Sequence, residues 1–233
     1  MLTRESLING AFLKTIESLL PEWMRWSEER IGASLRATLQ GRPDGAPVWL
    51  FAYGSLIWNP LLEIAESQPA VLEGWQRRFC IRLVSGRASQ EKPGRMLALE
   101  PGGRTEGVAY RLGETQLQDE LMLVWIREMV AGFYRPRWQP VTLADGSVVQ
   151  AIVFVSDPSH PLYEADSTVA TVAPLVSSAE GHLGSNAAYV KELHASLQNN
   201  GVHDDHIARL ANALNVFLAP SRAFNTPLVT AKS

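Results

Sequence analysis

Between residues 48 and 155 this chain places one short strand after another and interrupts them with a single long helix, which limits the folds open to it. Strand-length runs fall near 48–53, 71–83, 95–100, 106–112, 137–143 and 148–155. Gly and Pro clusters such as Lys92-Pro93-Gly94 and Pro101-Gly102-Gly103 separate them. Val148 to Val155 is apolar on both faces, the pattern of a central strand. The helix covers 114–131, with apolar residues at Leu117, Leu121, Val124, Trp125 and Met129. Strict β-α-β alternation is absent, so the expected class is α+β with a mixed or barrel-like sheet.

Helical patterns flank this strand region. Residues 3–40 read as two helices broken at Pro21, and Gly41 to Pro47 forms a turn-rich connection. From residue 167 the chain turns helical again. Ile207, Leu210, Leu214 and Phe217 make a stripe introduced by Asp204 and Asp205, acids favoured at a helix start. The expected organisation is an N-terminal helical extension (1–44), a main domain (45–219) and a loose tail (220–233). Trp23 and Trp26 are expected to pack within the chain.

Charge and composition narrow the function. A net charge of −3 and no basic stretch interleaved with aromatics argue against a nucleic-acid partner. No apolar run approaches the roughly 20 residues of a membrane span, and Arg4, Glu5, Lys14 and Glu17 interrupt the N-terminal apolar positions. A cytoplasmic protein is the simplest expectation. The one cysteine, Cys80, excludes an intramolecular disulfide and reads as a structural thiol between Phe79 and Ile81. Arginine outnumbers lysine 17 to 4. Background usage explains that ratio, although arginine also suits planar carboxylate recognition.

Two features point to chemistry. At about 100° per residue, Glu128 falls inside the apolar stripe of its helix, close to Leu121. A carboxylate there must be paired, neutralised or used, and desolvation raises its proton affinity toward that of a general base. Upstream, Val48 to Ala52 ends in Tyr53-Gly54-Ser55-Leu56, a strand entering a glycine turn whose backbone N–H groups can meet an anion. A buried Glu128–arginine pair and a plain strand end remain open as alternatives. No Gly-x-Ser-x-Gly elbow accompanies Ser55, and every histidine lies beyond residue 159. His203-Asp204-Asp205-His206 sits where a helix start explains the acids without a metal. Gly113, Gly132 and Gly181 form no nucleotide loop. Tyr163, on the turn from Asp157, is either a packed tyrosine or a donor into a pocket.

Five segments in order carry a resemblance: Tyr53 to Pro60, Lys92 to Arg95, Gly107 to Leu112, Trp125 to Met129, and His160 to Tyr163. Together they resemble the ChaC-type enzymes, the glutathione-specific γ-glutamylcyclotransferases, over residues 47–218. The resemblance implies an α+β domain round a small mixed barrel-like sheet and a reaction without metal or other cofactor. It implies that Tyr53, Gly54, Ser55 and Leu56 hold the γ-glutamyl group, that Glu128 is the catalytic acid/base, and that Tyr163 lines the site. The substrate implied is glutathione, cyclised to 5-oxoproline with release of cysteinylglycine. Cyclisation of other γ-glutamyl amino acids or amines, and a non-catalytic metabolite sensor, are the alternatives. Ala52 stands where the family usually has glycine. Arg78, Arg82 and Arg95 are candidate contacts for the glycine carboxylate.

Overall fold

The computed structural model describes residues 2–218. Among them five strands close into a barrel: β1 (Trp49–Ala52), β2 (Ile64–Leu83), β3 (Gly94–Leu112), β4 (Tyr134–Leu143) and β5 (Val148–Ser156). Their order round the barrel is β1-β3-β2-β4-β5. All pairings are antiparallel except the seam, where β1 runs parallel to β5 with Trp49 opposite Ala151 and Leu50 opposite Ile152. Closure pairs the strands that would otherwise be open edges. The expected α+β class with a barrel-like mixed sheet is what forms.

Seven α-helices surround the barrel among the described residues: α1 (Arg4–Ile8), α2 (Ala11–Leu19), α3 (Glu28–Gln40), α4 (Leu117–Met129), α5 (Val169–Ser178), α6 (Asn186–Asn199) and α7 (Asp205–Phe217). Strand alternation sends successive side chains of β1 and β5 into two different cores. Phe51, Val153 and Val155 join one with Val172 of α5, Val190 of α6 and Leu210 of α7. Leu50, Ile152 and Phe154 join the other with Ile31 and Leu35 of α3 and Leu121, Val124 and Trp125 of α4. Burial on both faces is why β1 and most of β5 read as continuous apolar runs. Each such side chain contributes roughly 1.5–3 kcal/mol when fully buried.

The β2–β3 hairpin departs from the sequence expectation. Pro101-Gly102-Gly103 does not separate two strands. It lies within β3, with Gly102 at φ +110° and Gly103 at +66°. Across the hairpin Gly74 sits at φ +79°, at a register shift between Glu73 and Trp75. Positive-φ glycines on both strands let the hairpin bend without ending the ladder. β2 also begins at Ile64 rather than 71, because its first half buries only alternate side chains and only in part.

The N-terminal segment breaks at Gly10 (φ +75°) as well as at Pro21. Arg4 of α1 donates to the buried Glu120 of α4 (Nη1 to Oε2, 2.7 Å), which also accepts the Glu63 N–H at 2.9 Å. Trp26 donates its backbone N–H to Val130 O at 2.8 Å. Its indole lies where a side chain on Gly132 would stand, 2.2 Å from an added Cβ. Trp26 thus packs inside the chain as expected, whereas Trp23 is 69% exposed. The segment 220–233, expected to be a loose tail, lies outside the described residues.

Candidate active site

Glu128 occupies the last turn of α4, where the 3.6-residue period returns it to the side of Leu121. Its carboxylate is 16% exposed and lines a narrow recess with Tyr53, Gly54, Ser55 and Leu56. Two sequence elements more than 70 residues apart therefore meet, since the turn leaves β1 beside the C-terminal end of α4. Burial raises the Glu128 carboxyl above the ordinary glutamate range, while Arg127, with Nε 3.0 Å from Oε1, pulls it back down. The desolvation effect is the larger, so the net direction is upward.

The turn is built to leave donors free. Ile57 N–H bonds Gly54 O and Asn59 N–H bonds Ser55 O, each at 2.9 Å. The N–H groups of Gly54 and Ser55 have no backbone acceptor among the described residues. Arg127 Nη2 donates to Ser55 Oγ at 2.8 Å, so the serine's own proton remains available to another acceptor. Gly54 is required for space rather than for a positive φ. An added Cβ would stand 3.1 Å from Leu97 Cδ2 and 3.4 Å from the Tyr189 hydroxyl. Gly54→Ala is expected to keep the fold and to lower kcat/KM about 10- to 100-fold by displacing these walls. Steady-state kinetics beside a thermal melt test this, and an unchanged kcat/KM would refute it.

Three phenols line the recess, and none is Tyr163. Tyr53 donates to Phe154 O at 2.7 Å and Tyr134 to Leu97 O at 2.9 Å, which commits both hydroxyls to the barrel. Tyr189, from the first turns of α6, is the phenol without such a carbonyl partner among the described residues. It packs against Trp58 and Phe79, at 5.7 and 6.3 Å between ring centroids. Burial, then the Glu128 charge, pushes its hydroxyl up to about 12, so it stays protonated as a donor. Tyr163, expected to line the site, is not among the residues lining the recess. Its backbone bridges Ile81 and its hydroxyl donates to Glu100 at 2.5 Å, away from the recess. A turn position fixes where a phenol starts, not where it points.

The recess opens into a cleft of about 920 Å³ that shares Ser55, Glu128, Tyr134 and Tyr189 with it. Arg95 lines this cleft, with Nη2 3.4 Å from Glu164 and its Nε without a partner among the described residues. Arg87 lines it too, over the Tyr189 ring. Arg78 and Arg82 do not. Arg78 is held by the Arg77 carbonyl and the Gln76 side chain, and Arg82 is exposed. Cys80 is fully buried and its thiol is pushed up to about 12, chiefly by burial, which suits a packing role.

Arg77, adjacent to these candidates, proves to hold the turn. It is 1% exposed and donates from Nε to Tyr53 O (2.7 Å) and from Nη2 to Glu106 O (2.5 Å). Its Nη1 bonds Asp204 Oδ2 at 3.0 Å. The other oxygen of Asp204 caps α7 through the N–H groups of His206 and Ile207, both at 3.1 Å. The acids of the His203–His206 segment thus serve a helix start and a buried arginine.

A closed barrel that sets a desolvated carboxylate against a donor-rich strand-end turn has the parts needed for acid–base chemistry on a small polar molecule. The chain belongs to the family described as ChaC-like protein, whose model matches residues 48–216. It is 50% identical over 219 residues to the glutathione-specific gamma-glutamylcyclotransferase of Escherichia coli K12, covering 94% of each chain. An alignment of that length takes in most of the residues ahead of Val48. The human glutathione-specific gamma-glutamylcyclotransferase 1 is 30% identical over 186 residues, 76% of this chain and 83% of that one. In fold, a glutathione-specific gamma-glutamyl cyclotransferase from yeast superposes with a TM-score of 0.67 at 20% identity, over 74% of this chain and 97% of the other.

Proposed function

We propose that this chain is a glutathione-specific γ-glutamylcyclotransferase, converting glutathione to 5-oxoproline and cysteinylglycine. The observation that carries the proposal is Glu128, a carboxylate with raised proton affinity facing the free donors of Gly54 and Ser55 across one recess. The names of the E. coli and human relatives support the substrate.

Nucleophile and electrophile belong to one molecule, so the protein must fold the substrate and pass two protons from the attacking nitrogen to the leaving one. With the γ-glutamyl unit in the recess, its negative charge meets the N–H groups of Gly54 and Ser55. Glu128 takes a proton from the α-ammonium group, and the freed nitrogen attacks the side-chain carbonyl carbon to close a five-membered ring. The oxyanion that forms accepts from the donors of the turn. As the amide C–N bond breaks, protonated Glu128 delivers its proton to the departing nitrogen of cysteinylglycine, and the ring nitrogen then gives up its second proton through the same carboxylate to that amine, which leaves as an ammonium. The carboxylate ends as it began. Holding the amine and carbonyl in attack geometry contributes up to about 7–11 kcal/mol in favourable cases. Tyr189 donates at the mouth of the recess, and Arg95 takes the glycine carboxylate in the cleft. The same protonation requirement places the acid limb of kcat/KM above the ordinary glutamate range.

The direct test is to incubate the purified protein with glutathione and follow both products by mass spectrometry. Equimolar 5-oxoproline and cysteinylglycine are expected. Cleavage of γ-glutamyl-alanine in preference to glutathione would keep the mechanism and replace the substrate. Binding of glutathione with no product would identify a sensor and overturn the proposal.

A further inference from the structure

The cleft beyond Glu128 is large and its lining is chemically divided. Its 920 Å³ lies near the top of the range of about 300–1,000 Å³ for pockets that enclose a drug-sized ligand. One part of its lining carries Arg87, Arg95 and Asn186, with Arg87 3.4 Å from Glu192 and Arg95 3.4 Å from Glu164. The other is apolar, where Phe12, Ile16 and Leu20 of the N-terminal segment stand with Val130, Ala131 and Phe133 beyond α4. Ile16 and Leu20 pack with Ala131 and Phe133 in one small cluster. The wall from the N-terminal segment lies ahead of residue 48 and thus outside the family model. α2 buries none of its side chains fully, so its apolar face is only half covered where it borders the cleft.

We infer that this apolar end is a subsite for a hydrocarbon group on the sulfur of glutathione, so that glutathione thioethers are cyclised as well as glutathione. The inference rests on the proposed activity and extends its substrate class. With the γ-glutamyl unit in the recess, the scissile amide lies at the mouth shared by Ser55, Glu128, Tyr134 and Tyr189. The cysteine residue begins there and branches at its α-carbon. Its glycine arm carries a carboxylate, and the guanidinium of Arg95 offers it donors beyond the one turned to Glu164. The side-chain arm diverges from the glycine arm and faces the apolar end. A bare thiol leaves most of that end unfilled, whereas an S-alkyl or S-aryl group covers Ile16 and Phe12. The chemistry is unchanged: the α-amino nitrogen bonds to the side-chain carbonyl carbon, the amide C–N bond breaks, and the two protons pass through Glu128 to the leaving nitrogen. The carbon–sulfur bond takes no part, and the products are 5-oxoproline and an S-substituted cysteinylglycine.

The test is a series of S-methyl-, S-butyl- and S-hexylglutathione, with dissociation constants from calorimetry and 5-oxoproline from mass spectrometry. Affinity is expected to rise about twofold per added methylene, roughly 30-fold from methyl to hexyl, because the wall covers only part of the chain. In Ile16→Ser and Phe12→Ser the hexyl-to-methyl ratio is expected to fall toward one, a ratio that corrects each variant for any general loss of affinity. A flat series in the parent protein, or a rise that both substitutions leave intact, would overturn the subsite while leaving the activity on glutathione standing. Failure of glutathione and S-methylglutathione alike to give 5-oxoproline would overturn the activity and the subsite together.

Discussion

Glu128→Gln is expected to give a folded protein that binds glutathione and turns it over about 10²- to 10⁴-fold more slowly. The amide has the size of the carboxylate and keeps a hydrogen-bonding oxygen toward Arg127, so the recess keeps its shape. What it lacks is a site that can accept the proton of the α-ammonium group and return it. The stability effect has a definite sign. The Glu128 carboxyl holds its proton more tightly in the folded chain than in the unfolded one, because burial outweighs the Arg127 charge. Its favourable contribution is therefore complete below the unfolded pKa and is lost as pH rises through the folded value. At pH 7 the parent protein carries the cost of a buried anion that glutamine does not. The variant should melt at the same temperature or higher there, with the gap narrowing as pH falls into the ordinary carboxylate range. Melting curves at pH 7 and pH 4, beside single-turnover kinetics, check both parts. A near-normal rate in a folded Gln variant would remove Glu128 from the chemistry.

The second large effect is expected at Asp204→Ala, far from the recess in sequence. Removing this carboxylate leaves the Arg77 guanidinium 1% exposed with no counter-charge, and α7 without its cap. Breaking a buried ion pair from one side costs about 3–5 kcal/mol. A lost N-cap adds about 0.5–2 kcal/mol where the effects are separable. Asp204→Asn keeps an oxygen for the α7 N–H groups and should lose less. The urea midpoint at constant m-value measures the difference. A shift of the alanine variant worth under about 1 kcal/mol would show that the pair is not holding Arg77. The kinetic consequence follows from Tyr53, whose carbonyl Arg77 holds at 2.7 Å. Slackening that hold widens the turn that carries Gly54 and Ser55, so kcat/KM should fall in the asparagine variant too.

How far the sequence carried depends on whether a signal is local. β1, β5 and α4 were legible because burial on two faces, or on one stripe, leaves a dense apolar pattern. Glu128 stood out for the same reason, as a charge in that stripe, and the Gly54-Ser55 turn is contiguous. The long hairpin was hidden because glycine and proline end strands in most contexts, whereas here Gly74, Gly102 and Gly103 bend two that continue. Gly54 was read as the glycine of an anion-meeting turn, and the structure adds that it leaves room beside Leu97 and Tyr189. Tyr163 and Tyr189 could not be ranked from their neighbours, since orientation depends on which strands and helices pack around each. One clue did exist: Ser185 caps α6, and Asn186 and Tyr189 share one face of its first turn. Arg77 gave no signal, because its partners come from β1, β3 and α7.

The Arg77–Asp204 pair also has a meaning in time. Its members are 127 residues apart, and the later one opens the last helix described. During synthesis the barrel strands emerge first, with the guanidinium already destined for their interior and its counter-charge not yet made. The turn that carries Gly54 and Ser55 reaches its final tension only when α7 docks. The geometry of the site thus rests on a carboxylate made after every strand of the barrel, 127 residues behind the arginine it holds.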